Sequence, residues 1–218
     1  MTRPKICASI VNMDYQAIKR VESAVDLYEV RIDLIGADWR DVARRLIKPW
    51  IACNRKPDEG GVWRGNEKAR VAELLSALEL GVAMVDIELS TDNLGEVVKQ
   101  IKGQAKCLIS YHDTKKTPSV DLMKELVQRQ LAAGADIGKV VTTAEKFRDN
   151  ISTLQLIQEF PESSIVSFAM GQLGLVSRVL CPLVGGEFIY AAIASGREAA
   201  PGQITAEAMR QIYKMVQR

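Results

Sequence analysis

The chain has a single histidine, His112, in 218 residues. Proton transfer by imidazole near neutral pH therefore falls to one side chain or to none. Cysteine is sparse as well. Cys7, Cys53, Cys107 and Cys181 form no CxxC pair, and with one histidine they offer no metal site of the zinc type. They read as small core residues of a reducing, cytoplasmic compartment. No apolar run approaches the roughly 18 residues a membrane span needs. The N-terminal Met-Thr-Arg-Pro-Lys leads into a short strand pattern rather than a signal-peptide core. Net charge is only +2, and no Lys/Arg block interleaves with aromatics, which argues against nucleic acid or an anionic membrane as partner. Asn150-Ile151-Ser152 matches a glycosylation sequon, read here as chance without a secretion signal.

What is present is regular. Hydrophobic residues make up 47% of the chain and charged residues 26%, ordinary values for a globular domain. Short apolar runs alternate with helical patterns from end to end. The predicted strands are Lys5 to Val11, Tyr28 to Leu34, Trp50 to Asn54, Val82 to Leu89, Lys106 to Tyr111, Asp136 to Val141, Ser164 to Met170 and Phe188 to Ile193. Asp14, Asp38, Asn66 and Thr205 are placed to cap helices, and Gly81, Gly103 and Gly134 to end them. The helices carry one apolar stripe each, such as Leu122, Leu126, Val127 and Leu131, or Met209, Ile212, Tyr213 and Val216. A further helix is expected from about Glu145 to Phe160. Strands that are apolar throughout suit a parallel sheet covered on both faces. The expectation is one (β/α)8 barrel over residues 1–218, α/β in class, with a doubly wound open sheet as runner-up.

In a barrel of this kind function sits where strands run out into loops. Those points are loaded with polar groups: Ser9; Glu29, Arg31 and Asp33; Arg55 and Glu59-Gly60-Gly61; Asp86 and Glu88; His112; Lys139; Met170 through Arg178; and Pro201-Gly202-Gln203. Lys139 lies between Ile137-Gly138 and Val140-Val141, so it should be desolvated. Burial disfavours an ammonium and frees the amine to attack a carbonyl. The alternative is a lysine paired with a buried carboxylate such as Glu29 or Glu88. His112 can likewise be a proton shuttle or a satisfied structural residue.

Taken together these residues resemble one family. Glu29-x-Arg31, Arg55 with Glu59-Gly60-Gly61, Asp86-x-Glu88, Ser110-x-His112-Asp113 with Thr117-Pro118, Asp136-Ile137-x-Lys139, Met170-Gly171 with Gly174 and Ser177-Arg178, and Ala200-Pro201-Gly202-Gln203 resemble type I 3-dehydroquinate dehydratase. The resemblance implies a cytoplasmic, homodimeric barrel that converts 3-dehydroquinate to 3-dehydroshikimate in the shikimate pathway, with no cofactor and no metal. It implies Lys139 as Schiff-base lysine, His112 as proton shuttle and Glu59 as the carboxylate that orients it. It implies Ser9, Glu29, Arg31, Arg55, Arg178 and Gln203 as substrate-binding residues, with Arg178 on the substrate carboxylate. Ala199 departs from the family's serine, removing a hydroxyl four residues before Gln203. A Schiff-base aldolase on the same barrel is the alternative activity. Its phosphate cradle has only Gly185-Gly186 as a candidate. A non-catalytic barrel that binds a carboxylate metabolite is the alternative outside catalysis.

Overall fold

The computed structural model describes residues 3–217. Eight strands form a single sheet: β1 (Ile6–Ile10), β2 (Leu27–Arg31), β3 (Trp50–Cys53), β4 (Met84–Glu88), β5 (Lys106–His112), β6 (Ile137–Thr143), β7 (Ile165–Met170) and β8 (Ile189–Ala192). Around it run α1 (Tyr15–Val21), α2 (Ile32–Ile35), α3 (Trp39–Ala43), α4 (Glu67–Leu75), α5 (Leu94–Ile101), α6 (Val120–Ala132), α7 (Asp149–Gln158), α8 (Leu175–Leu180) and α9 (Ala206–Val216). Every pairing is parallel, and β1 pairs with both β2 and β8. The sheet is thus rolled into a nearly closed barrel, as the alternation of strand and helix patterns predicts.

One seam differs from the rest. No ladder joins β7 to β8 among the described residues. There the Glu187 N–H donates to Ile165 O at 2.9 Å near the strand starts, and the Gly171 N–H donates to Pro201 O at 3.1 Å beyond the strand ends. Between them the rings of Phe168 and Tyr190 fill the gap.

The local signals that build this frame are visible. Asp14, Asn66 and Thr205 each accept the N–H of the residue three positions on, as helix caps do. Ser119 caps α6 in the same way. Asp38 makes no such bond. The buried stripe of α6 is Met123, Leu126, Val127 and Gln130; Leu122 lies one residue off it and faces solvent. Val216 is also exposed, whereas Met209 and Tyr213 pack on the barrel.

The second strand stops at Arg31 rather than Leu34. Its neighbours end at Ile10 and Cys53, so Ile32 onward has no ladder to join and turns into α2. Helix α7 starts at Asp149, because that carboxylate takes the N–H groups of Glu145 and Lys146 into a turn at 2.8 and 2.9 Å. The short α8 has no full apolar stripe, which is why periodicity did not reveal it.

Candidate active site

At the C-terminal ends of the strands opens a cleft. All nine residues expected at the site line it: Ser9, Glu29, Arg31, Arg55, Glu59, His112, Lys139, Arg178 and Gln203. Parallel register brings several to one level. Glu88 on β4 lies beside Ser110 on β5, which lies beside Lys139 on β6.

Lys139 is buried, as its apolar flanks predict. Its Nζ donates to Asp86 Oδ2 at 2.8 Å and lies 4.0 Å from Glu29 Oε1. Glu88, named from the sequence as a partner for this lysine, instead accepts from Arg55 at 2.9 Å. Arg70 Nη1 also lies 2.8 Å from Glu88 Oε2, an ion pair without hydrogen-bond geometry, and donates to Asn54 O at 2.6 Å. Asp86 takes a second cation, Arg55 Nη2, at 2.7 Å and the Ser110 hydroxyl at 2.6 Å. Burial opposes the Asp86 charge, but Arg55 and Lys139 outweigh it and hold its carboxyl far below the usual range. Asp86 and Tyr190, whose ring covers Nζ, were not among the predicted site residues. The inward Asp86-x-Glu88 alternation was the available signal for the first. Nothing local marked the second.

His112 closes β5. Both its backbone N–H and its ring Nδ1 meet Glu59 Oε2, at 2.9 and 2.8 Å. An ionised Glu59 accepts the Nδ1 proton and leaves Nε2 with a free lone pair. Burial, then the Arg55 and Lys139 charges, hold the imidazole well below its ordinary range, so it rests neutral. Burial pushes Glu59 up to about 7 against the pull of Arg55. Gly61 makes this corner possible: a Cβ there would lie 1.9 Å from Arg55 O.

The opposite wall is built differently. Ser9 donates to Glu29 Oε2 at 2.8 Å, Gln203 Nε2 donates to Ser9 Oγ at 3.2 Å, and the Ala199 N–H donates to Gln203 Oε1 at 2.7 Å. Backbone, rather than a side-chain hydroxyl at position 199, thus completes the glutamine's bonding. Gly202 lets this loop approach β7's end, since its missing Cβ would lie 2.2 Å from Gly171 O. Close backbone packing gives both glycines a structural reason.

Arg31 is held bidentately by Asp33 at 2.9 and 2.8 Å. Both terminal nitrogens of Arg55 are engaged by protein groups. Arg178 is the contrast. It is buried, donates one bond to Pro201 O at 3.1 Å, and leaves Nε unpartnered. Among the described residues it is the buried arginine with no carboxylate beside it. Burial alone pulls its pKa down to about 10. Asn150, the sequon residue, is buried and ties α7 to the segment leading into α8: it donates to Phe147 O and Leu173 O and accepts the Ser177 N–H.

Glu29, Cys53 and Asp86 offer three ligand atoms within 4.8 Å of one another. Arg55 and Lys139 already match the charge of Asp86, and burial keeps the Cys53 thiol protonated, so the trio does not suit a cation. The Gly185-Gly186 pair precedes β8, beside the start of β7. It lies at the far end of the barrel from the cleft and cannot cradle a phosphate there.

The family model for type I 3-dehydroquinase matches residues 6–218. The chain belongs to the type I 3-dehydroquinase family. By family it is an enzyme of the hydro-lyase class. A 3-dehydroquinate dehydratase of Dehalococcoides mccartyi strain 195 is 44% identical over 217 residues, covering 99% of this chain and 97% of that protein. One of Methanococcoides burtonii is 34% identical, covering 99% and 95%. The crystal structure of 3-dehydroquinate dehydratase from Geobacillus kaustophilus superposes with a TM-score of 0.87 at 25% identity, covering 99% of this chain and 92% of that one. A type I 3-dehydroquinase therefore accounts for both the barrel and the order of its polar strand ends.

Proposed function

We propose that this enzyme converts 3-dehydroquinate to 3-dehydroshikimate through a Schiff base on Lys139, the third step of the shikimate route to aromatic amino acids. The observation that carries this reading is a buried lysine beside a histidine whose outer nitrogen is left as a base. The Lys139 amine attacks the substrate ketone, and loss of water leaves an iminium. That cation is an electron sink, so the adjacent C–H becomes acidic. His112 Nε2 takes the proton, giving an enamine. The enamine expels the hydroxyl β to the former carbonyl, and protonated His112 returns the proton as water leaves. Hydrolysis frees product and amine.

Glu59 fixes the imidazole tautomer and stabilises its cation. Arg178 takes the substrate carboxylate, since a buried guanidinium without an anion is matched by an incoming one. Ser9, Glu29 and Gln203 form a polar wall suited to substrate hydroxyls. Arg31 and Arg55 add fixed positive charge at the cleft. No dissociable cofactor or metal is needed for these steps.

The test is mass spectrometry of protein mixed with 3-dehydroquinate and borohydride. A reduced adduct on Lys139 is expected. Turnover with the lysine unlabelled would overturn the covalent route.

The same reading includes a cytoplasmic homodimer. Phe147, Ile151, Leu173 and Leu175 are exposed side by side near α7 and α8, and Asn150 bonds the backbones of the first and third. An apolar patch of this kind suits a second copy. Sedimentation should give twice the chain mass, falling to one with Phe147→Glu. A monomeric parent protein removes this part of the proposal.

A further inference from the structure

Two aromatic rings occupy the β7–β8 seam, with centroids 6.2 Å apart. Each faces a cation of the cleft. Arg178 Cζ lies 4.5 Å from the Phe168 centroid, and Lys139 Nζ lies 4.2 Å from the Tyr190 centroid. Phe188 braces Tyr190 edge-on at 5.3 Å. The Tyr190 ring is buried, and its hydroxyl has no hydrogen-bond partner among the described residues. The hydroxyl therefore does not hold the ring in place; packing does. Burial, then the fields of Glu29 and Asp86, keep the phenol protonated. What Nζ meets is a neutral aromatic face. Such a face attracts a cation within about 6 Å of its centroid, most strongly where water is excluded.

We propose that Tyr190 is a catalytic residue, its ring stabilising the positive nitrogen of the iminium on Lys139; this rests on the Schiff-base reading above. As the C–N bond forms, the carbonyl π pair moves to oxygen, which takes a proton from the new ammonium nitrogen and so returns that nitrogen its lone pair. A second proton lets that oxygen leave as water while the nitrogen lone pair closes the C=N bond. Amine, ketone and one proton thus give iminium and water, and the charge rests on the atom that faces the ring. Asp86 stabilises the same charge from another side. A carboxylate can also accept the N–H proton and leave a neutral imine, a poor electron sink. A ring cannot. Arg55 on Asp86 and Tyr190 on Nζ act in the same direction: both keep the proton on nitrogen.

The test uses a His112→Ala background, where elimination stalls and the ketone–iminium balance can be read by borohydride trapping at Lys139. Tyr190 is replaced by Phe and then by mono-, di- and trifluorophenylalanine. Fluorine drains the negative face of the ring with little change of shape. Tyr190→Phe should keep the iminium formation constant within about twofold, and the trifluoro ring should lower it roughly tenfold, in even logarithmic steps. Tyr190→Leu should fall at least as far; if it does not fold, the fluorinated series still decides. A flat series with normal trapping overturns the role of Tyr190 and leaves the Schiff base standing. No adduct with Tyr190 intact overturns the Schiff base, and this proposal with it.

Discussion

The two walls of the cleft follow opposite rules. On the β4 side every charge has an opposite charge beside it, although Glu88 Oε2 and Asn54 Oδ1 accept no hydrogen bond: Asp86 holds Lys139 and Arg55, Glu88 holds Arg55 and Arg70, and Arg70 also binds Glu67 and Asn54 O. On the β7–β8 side polar groups are left open. Arg178 Nε and the Tyr190 hydroxyl are buried without hydrogen-bond partners, and Arg178 has no anion. The difference separates two tasks. Groups that do chemistry must be oriented before substrate arrives, so the fold supplies their partners. Groups that bind substrate gain most when the ligand supplies the missing partner.

Five experiments bear on this contrast. The largest effect belongs to Lys139→Ala, which should lower kcat by a factor on the order of 10⁴–10⁶, as loss of a covalent nucleophile does. Near-normal kcat would remove the β4 wall from the chemistry. Arg70→Met is next. It leaves Glu88 short of a cation inside the protein and should cost about 3–5 kcal/mol of stability by urea titration. A variant as stable as the parent would mean that this wall is not held by its charges.

Arg178→Met should do the reverse. With no carboxylate abandoned, stability should hold within about 1 kcal/mol, while kcat/KM falls roughly 10²–10³-fold, mostly through KM. Heavy destabilisation with intact binding would erase the distinction between the walls.

Glu59→Gln tests the hinge between them. In the folded protein Glu59 ionises near 7, against 4.5 ordinarily. Between those values the folded state carries the extra proton. Glu59 therefore favours folding at low pH, and that contribution is lost as pH rises through about 7. Glutamine should accordingly raise the melting temperature relative to the parent more at pH 8 than at pH 5. It should also lower kcat/KM about 10–100-fold and abolish the acid limb expected near pH 7 in the parent profile. An unchanged limb would assign it to another group. The smallest effect is Tyr190→Phe. Deleting a buried, unpartnered hydroxyl should stabilise the protein by about 1 kcal/mol; a loss of that size would reveal a partner for it.

Much of this was legible in the residues. Strand order, the helices other than α8, three of the four predicted caps and the nine cleft residues follow from periodicity, capping chemistry and the polar strand ends, joined to the family resemblance. These signals are local: a period of two or 3.6 states which face a side chain takes, and a polar residue closing an apolar run states which end of the barrel it reaches. Pairings across the barrel are another matter. His112–Glu59 came with the family resemblance, not from any local pattern; Lys139–Asp86 also joins residues 53 positions apart, and which carboxylate meets which cation depends on strand register and tilt around a closed sheet. Hence only the tertiary structure chose Asp86 over Glu88 for Lys139, matched Arg55 with protein carboxylates, buried Asn150 against the segment leading into α8 and laid Tyr190 over the lysine. The sequence by itself determined the barrel and the roster of its mouth; the fold decided who faces whom, because side-chain partners are set by distances in space that no local pattern encodes.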